Sequence, residues 1–398
     1  MNSDLNKLQP YPFEKLFQLK KGIAPPQTLS PIALSVGEPK HAPPAFVLKK
    51  LIETLPKVSQ YPSTKGLPEL RQTIAHWLCK RFSLNPNTLT AERHILPVNG
   101  TREALFAFAQ AIIDRTQNPL VMMPNPFYQI YEGAAYLAGA EPLYLDGDES
   151  NHYLPDFARI NDEQWKRCQL IYVCSPNNPS GSVLTLDDYQ QLIELADKYD
   201  FVIASDECYS EIYPDDSKPP VGLLETCSAI GRDDYHRCIV FHSLSKRSNL
   251  PGLRSGFVAG DAALLRQFLN YRTYHGCAMS VPTQLASLAA WEDEDHVVSN
   301  RELYRQKFTL LEDILSGTWR LSQPMAGFNF WAKTPIDDEK FTQALFEKTN
   351  ITVLPGSYLS REVNGNNPGK NHVRMAMVAP IEECIEAGQR IQSFLVDL

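Results

Sequence analysis

Six short apolar runs, separated by amphipathic stretches, limit the folds open to this chain more than any other feature. They read LVMMP (120–124), PLYLD (142–146), QLIYVCSP (169–176), FVIASDE (201–207), CIVFHSLS (238–245) and GFVAGD (256–261). A strand with one wet face alternates apolar and polar residues, whereas most of these runs are apolar throughout, as strands buried on both faces are. Between and before them, LPELRQTIAHWLCKRF (67–82), TREALFAFAQAIID (101–114) and LDDYQQLIELADKYD (186–200) place apolar residues at helical spacing. The pattern predicts an α/β fold: a mostly parallel sheet with helices on both faces. Such sheets bind ligands beyond the carboxyl ends of their strands.

After about Trp291 the text changes. A long charged helix, DEDHVVSNRELYRQKFTLLEDIL, leads into a smaller α+β pattern with FNFWAK (328–333) and HVRMAMV (372–378) as strands. The division predicted is a large domain over 46–291 and a small domain over 292–398, completed by a proline-rich N-terminal arm, 1–45. A length of 398 residues allows each its own core.

The net charge of −8 argues against a nucleic-acid or anionic-membrane partner. No run of about 18 apolar residues occurs, and the first residues lack an apolar core of signal-peptide length, so a cytoplasmic location is expected. The eight cysteines include no C-x-x-C and read as reduced thiols. The histidines fall at no metal-ligand spacing, so no metal is expected.

Four polar motifs fall at or near predicted strand ends. NGTREAL (99–105) joins a glycine to a helix start, where free N–H groups and the helix dipole suit a phosphate. SPNNPSG (175–181) makes a tight turn able to aim the Asn178 amide into a cleft. SDECYSEIY (205–213) puts Asp206 at a buried strand end, where a carboxylate is costly unless it meets a cation or donor, with Tyr209 three residues later. SLSKRSNLPGLRSG (243–256) supplies Lys246 and Arg254. A lysine becomes nucleophilic when burial or a nearby cation lowers its pKa, and arginine grips phosphate with a planar fork. Each motif alone has a bland explanation, as a loop, a turn, an ion pair or a surface lysine. All four in order at successive strand ends do not.

The set resembles the class I/II aminotransferase family of fold-type I pyridoxal-phosphate (PLP) enzymes, over nearly the whole chain. The resemblance implies a seven-stranded sheet in the large domain, PLP as cofactor, small amino-acid and keto-acid substrates, and a homodimer. Lys246 would carry the cofactor, Asp206 would pair with its ring nitrogen, and Tyr209 and Asn178 would bond its ring oxygen. Gly100, Thr101, Arg102, Ser243 and Arg254 would surround its phosphate, and Tyr128, from PNPFYQIY, would stack on the ring. Tyr61, in YPSTKGLPELR, resembles the tyrosine that reaches a phosphate across a dimer interface. Arg374, in NHVRMAMV, resembles the arginine that holds the substrate α-carboxylate, and Gly37, in LSVGEP, the glycine beside that carboxylate.

The wording around these motifs is similar to the bacterial succinyldiaminopimelate branch of the family. That similarity implies transamination between N-succinyl-L,L-2,6-diaminopimelate and 2-oxoglutarate, in lysine and diaminopimelate synthesis. Aspartate or another amino acid as substrate, or a β-lyase reaction on the same fold, are the alternatives. Arg102 and Arg247 are the candidates for contacts to a longer acidic substrate, although Arg247 reads more naturally as a surface residue.

Overall fold

The computed structural model describes all residues from Met1 to Leu398. Its centre is a seven-stranded sheet of β1 (Ile95–Val98), β2 (Leu120–Asn125), β3 (Glu141–Asp146), β4 (Cys168–Cys174), β5 (Val202–Asp206), β6 (Cys238–Ser243) and β7 (Gly256–Gly260). The strand order is β1-β7-β6-β5-β4-β2-β3. The pairs β2/β3, β2/β4, β4/β5 and β5/β6 are parallel, and β7 runs antiparallel to both neighbours.

Five of the six apolar runs are buried as expected, and the sixth, on the edge strand β3, is half-buried apart from Leu145. One sheet face packs Trp77, Leu192 and Phe257 into a core, and the other packs Phe108, Tyr131 and Phe241, each at most 6% exposed. A Phe or Leu buried to this degree stabilises the fold by about 1.5–3 kcal/mol over an exposed one. The strand missed in the sequence is β1. It is four residues long and contains Pro97, which breaks the strand signal but is tolerated because β1 lies at the sheet edge. The opposite edge strand, β3, also carries a proline, Pro142.

A second core gathers Tyr304, Phe328, Phe330 and Met375 around a three-stranded antiparallel sheet. Its strands are β8 (Asn329–Lys333), β9 (Leu354–Pro355) and β10 (His372–Ala376), with β10 in the middle. Near the N-terminus, Ile32–Ala33 pairs in parallel with Ile351–Thr352, which stitches the first residues of the chain to this second unit. The arm is not featureless. Pro12–Leu19 forms a helix, α1, started by Pro12 at its first position.

Candidate active site

The carboxyl ends of β4, β5 and β6 open into a cleft of about 430 Å³. Asp206 is the last residue of β5, and Ser243 is the last of β6. Lys246 follows on α2 (Leu244–Arg247), a single turn capped by the Ser243 hydroxyl, which accepts from the Ser245 N–H at 3.1 Å. Asn178 stands in the turn after β4, closed by Gly181 N–H to Asn177 O at 2.9 Å and Asn177 N–H to Ser182 O at 2.8 Å. Three separate strand ends thus deliver Asn178, Asp206 and Lys246 to one cavity.

Burial pulls the Lys246 amine down to about 8, and the Arg374 and Arg254 cations push in the same direction. Its Nζ donates to the Gly37 carbonyl. Asp206 is 4% exposed and forms no ion pair with a cationic side chain, and burial raises its pKa. Two donors steady its carboxylate: the Tyr131 hydroxyl, 2.7 Å from Oδ2, and the Cys208 N–H, 3.3 Å from Oδ1.

Arg374 enters from β10. Its Nη1 donates to Asn178 Oδ1 at 3.1 Å and its Nη2 to the Ser35 carbonyl at 2.6 Å. The guanidinium is buried, yet its Nε has no hydrogen-bond partner. The Arg374 side chain lines the cleft, where a guanidinium can offer a planar fork to a carboxylate.

Gly100 and Arg254 make the second anion-binding corner. Gly100 has φ +82° and caps α3 (Thr101–Ile112), and a Cβ added there would lie 2.4 Å from Arg254 Nη2. Only glycine lets the arginine sit against this helix start, where free N–H groups and the dipole favour negative charge. Thr101 lines the cleft, with its hydroxyl 3.0 Å from Cys208 Sγ. Arg102 also lines the cleft, but its Nη2 donates 2.7 Å to the Tyr11 hydroxyl and its guanidinium lies over the Tyr11 ring.

Tyr128, Tyr209 and Gly37 line the same space. Burial raises the phenol pKa of both tyrosines, so they remain protonated donors. Tyr61 does not line this cleft; its side chain is fully exposed. Arg247 corrects the expectation of a surface residue. It is buried against the rings of Trp77 and Trp291, which touch each other, and is ion-paired to Glu294, where it locks α2 in place outside the cavity lining.

Several residues in or directly behind the cleft lining escaped the sequence reading. Tyr131 lies three residues after Tyr128 in PNPFYQIY, a helical spacing that could have suggested a second inward tyrosine. Cys208 sits inside the SDECY motif itself. Tyr11 and Phe13 belong to the N-terminal arm, and no strand end announces them. Outside the cleft, Glu103, His275 and Cys277 converge, but the Arg272 guanidinium already bonds Glu103 and the Cys277 carbonyl.

The profile of the family described as aminotransferase class I and II matches residues 30–391. The chain belongs to that family. The family depends on PLP, and the cleft fits it: a glycine–arginine corner for a phosphate, a buried carboxylate lacking a cation, and a buried lysine of lowered pKa. A solved aminotransferase from Neisseria meningitidis Z2491 is 48% identical, with a TM-score of 0.95 over 99% of this chain and 100% of that one. An LL-diaminopimelate aminotransferase from Nitratidesulfovibrio vulgaris strain Hildenborough is 31% identical over 97% of each chain. A probable N-succinyldiaminopimelate aminotransferase from Thermus thermophilus is 25% identical, with a TM-score of 0.83 over 96% of this chain and all of that one.

Proposed function

We propose that this aminotransferase moves an amino group from N-succinyl-L,L-2,6-diaminopimelate to 2-oxoglutarate, giving N-succinyl-2-L-amino-6-oxopimelate and L-glutamate. One observation carries the transaminase reading. The Lys246 and Arg374 side chains line a single cavity, so a carboxylate held by the arginine leaves its α-carbon open to the lysine. The PLP ring, when bound, accepts the electrons released at that carbon.

The chain's own residues have distinct tasks. Lys246 carries the cofactor and, when free, moves the proton from the substrate α-carbon. Asp206 holds a proton at the ring nitrogen, and Tyr131 holds Asp206. Tyr209 and Asn178 would bond the cofactor's ring oxygen, and Tyr128 would cover its ring. Gly100, Thr101, Ser243 and Arg254 bind phosphate. Arg374, with Asn178 and Gly37 beside it, binds the α-carboxylate. Tyr61 serves the cleft of a second copy. It stands with Ile52 and Val58 on an exposed apolar segment, 67% and 65% exposed, which supports burial in a homodimer.

Arg102 supports an acidic substrate. It stands at the cleft mouth with a phenol as its side-chain partner and no carboxylate. The names printed for the Thermus and Nitratidesulfovibrio relatives both point to diaminopimelate compounds. The second of these favours another reading, in which free LL-diaminopimelate is the donor.

A panel of donors ranked by kcat/KM separates the readings: the succinylated compound, free LL-diaminopimelate and aspartate, each with 2-oxoglutarate. The expected first rank is the succinylated compound. First rank for either of the others overturns that substrate and leaves transamination standing. Supplying one amino acid without a keto acid tests the reaction type. A transaminase stops after one half-turnover, whereas a β-lyase continues to pyruvate and ammonia.

A further inference from the structure

A second buried lysine lies outside the chemistry above. Lys307, on α4 (Asp295–Leu315), is 2% exposed and forms no salt bridge. Its Nζ lies 2.5 Å from His41 Nε2 and donates to the Met377 carbonyl at 3.2 Å. His41 Nδ1 is in turn 2.7 Å from Asn300 Oδ1.

The hydrogens in this chain of contacts are set by Asn300. Its Nδ2 reaches the carbonyls of Lys246 and Arg247 at 3.3 and 3.4 Å, and its Oδ1 accepts from Asn249 Nδ2 at 2.8 Å. With the amide oxygen facing His41, Nδ1 must carry the hydrogen, and the neutral ring offers its Nε2 lone pair to Lys307. Residues 37–41 therefore engage Lys246 at two points. Gly37 O receives its amine, and His41 reaches its backbone carbonyl through Asn300.

We propose that His41, Asn300 and Lys307 are positioning residues that hold the 37–41 segment where the Gly37 carbonyl receives the free amine of Lys246. The idea rests on Lys246 being the catalytic lysine. No other segment lining the cleft is tied to both ends of that residue.

The arrangement titrates in one direction. Burial, with the Lys307 cation adding to it, holds His41 below its ordinary range; burial also draws Lys307 down to about 8. The groups around the pair are Asn300 and Tyr304 on α4, Lys40 beside His41, and Glu382, Glu383 and Cys384 on the C-terminal helix. The neutral imidazole accepts from Lys307 above the depressed pKa of His41. As pH falls through that value, Nε2 gains a proton, and two cations then face each other at hydrogen-bond distance.

The test uses holoenzyme variants. His41→Phe keeps a ring and removes both nitrogens. Because a small misplacement of a catalytic group is costly, kcat should fall about 10- to 100-fold with KM for the donor within about threefold. The limb of the wild-type kcat profile that tracks His41 protonation should vanish. His41→Gln donates to Asn300 and accepts from Lys307 without titrating, so it should restore the neutral-pH rate to within about threefold, still without that limb. The visible absorption of the bound cofactor, titrated with pH, should shift in His41→Phe and in Lys307→Met alike. A His41→Phe enzyme with wild-type rate, profile and absorption titration overturns the proposal, as does failure of His41→Gln to restore the rate. Where His41→Phe does not fold, an unshifted absorption titration in Lys307→Met overturns it. Lys246→Ala is run alongside: retained turnover there refutes the role of Lys246 itself, a result distinct from failure of the strut.

Discussion

The floor of the cleft and its far wall are built by different means. The floor is made of strand ends, with Asp206, Ser243 and Lys246 leaving neighbouring parallel strands whose ladders are buried on both faces. The wall is gathered from remote stretches: Tyr11, Phe13 and Gly37 from the arm, and Arg374 from the second sheet. A sheet end cannot move without disturbing its core, and the wall meets the floor through hydrogen bonds such as Arg374 to Asn178 and through the second core, where Tyr209 packs on Phe328. Substitutions on the floor, and in the 37–41 segment that receives the Lys246 amine, should act on kcat or on the cofactor, and substitution of Arg374 on KM.

The largest effect tests the floor. Lys246→Ala should lower turnover by about 10⁴-fold or more, since it removes both the covalent attachment and the general base. Steady-state assays without added amines check this, and retained activity would erase the contrast between floor and wall. The same residue gives a pH signature. Its lowered pKa means that the reactive neutral amine gains population as pH rises and levels off above about 8. Attachment of PLP to the cofactor-free protein, followed by absorbance, should accelerate about tenfold per pH unit below that point.

A smaller effect is expected at the wall. Arg374→Ala removes a charge-assisted contact worth about 1.5–3 kcal/mol, so kcat/KM for every amino donor should fall roughly 10- to 150-fold. The loss should appear mainly in KM, with cofactor affinity unchanged by equilibrium dialysis. If only cofactor retention suffered, Arg374 would belong to the floor.

The smallest effect sharpens the comparison within the floor. Tyr131→Phe leaves the ring stacked on Tyr172, at a centroid distance of 4.7 Å, and deletes the hydrogen bond to Asp206. A loss of about 1–2 kcal/mol predicts a roughly 5- to 30-fold higher PLP dissociation constant, with KM for the donor unchanged. Unaltered PLP affinity would show that Asp206 is held by its backbone alone.

The two parts also differed in how far they could be read from the sequence. Asn178, Asp206, Tyr209, Lys246 and Arg254 announced themselves because each lies within a few residues of an apolar strand, so local text and spatial position coincide. Tyr11 and Phe13 gave no such signal, because their place in the cleft depends on how the arm is anchored more than 300 residues away in sequence, through Ile32–Ala33 pairing with Ile351–Thr352. Arg374 was found only through the family resemblance, for the same reason. Arg247 was misjudged because a basic residue beside a basic residue reads as solvated. The side chains of a one-turn helix diverge, and that sends Lys246 into the cleft and Arg247 against two tryptophans.

The prolines at the two margins of the large sheet have a consequence for assembly. Pro142 lacks an amide hydrogen and interrupts the row of donors along β3, whereas β1, which carries Pro97, is buried along its whole length and offers no border to a foreign strand. Open-ended β-stacking of copies through either border is thereby disfavoured.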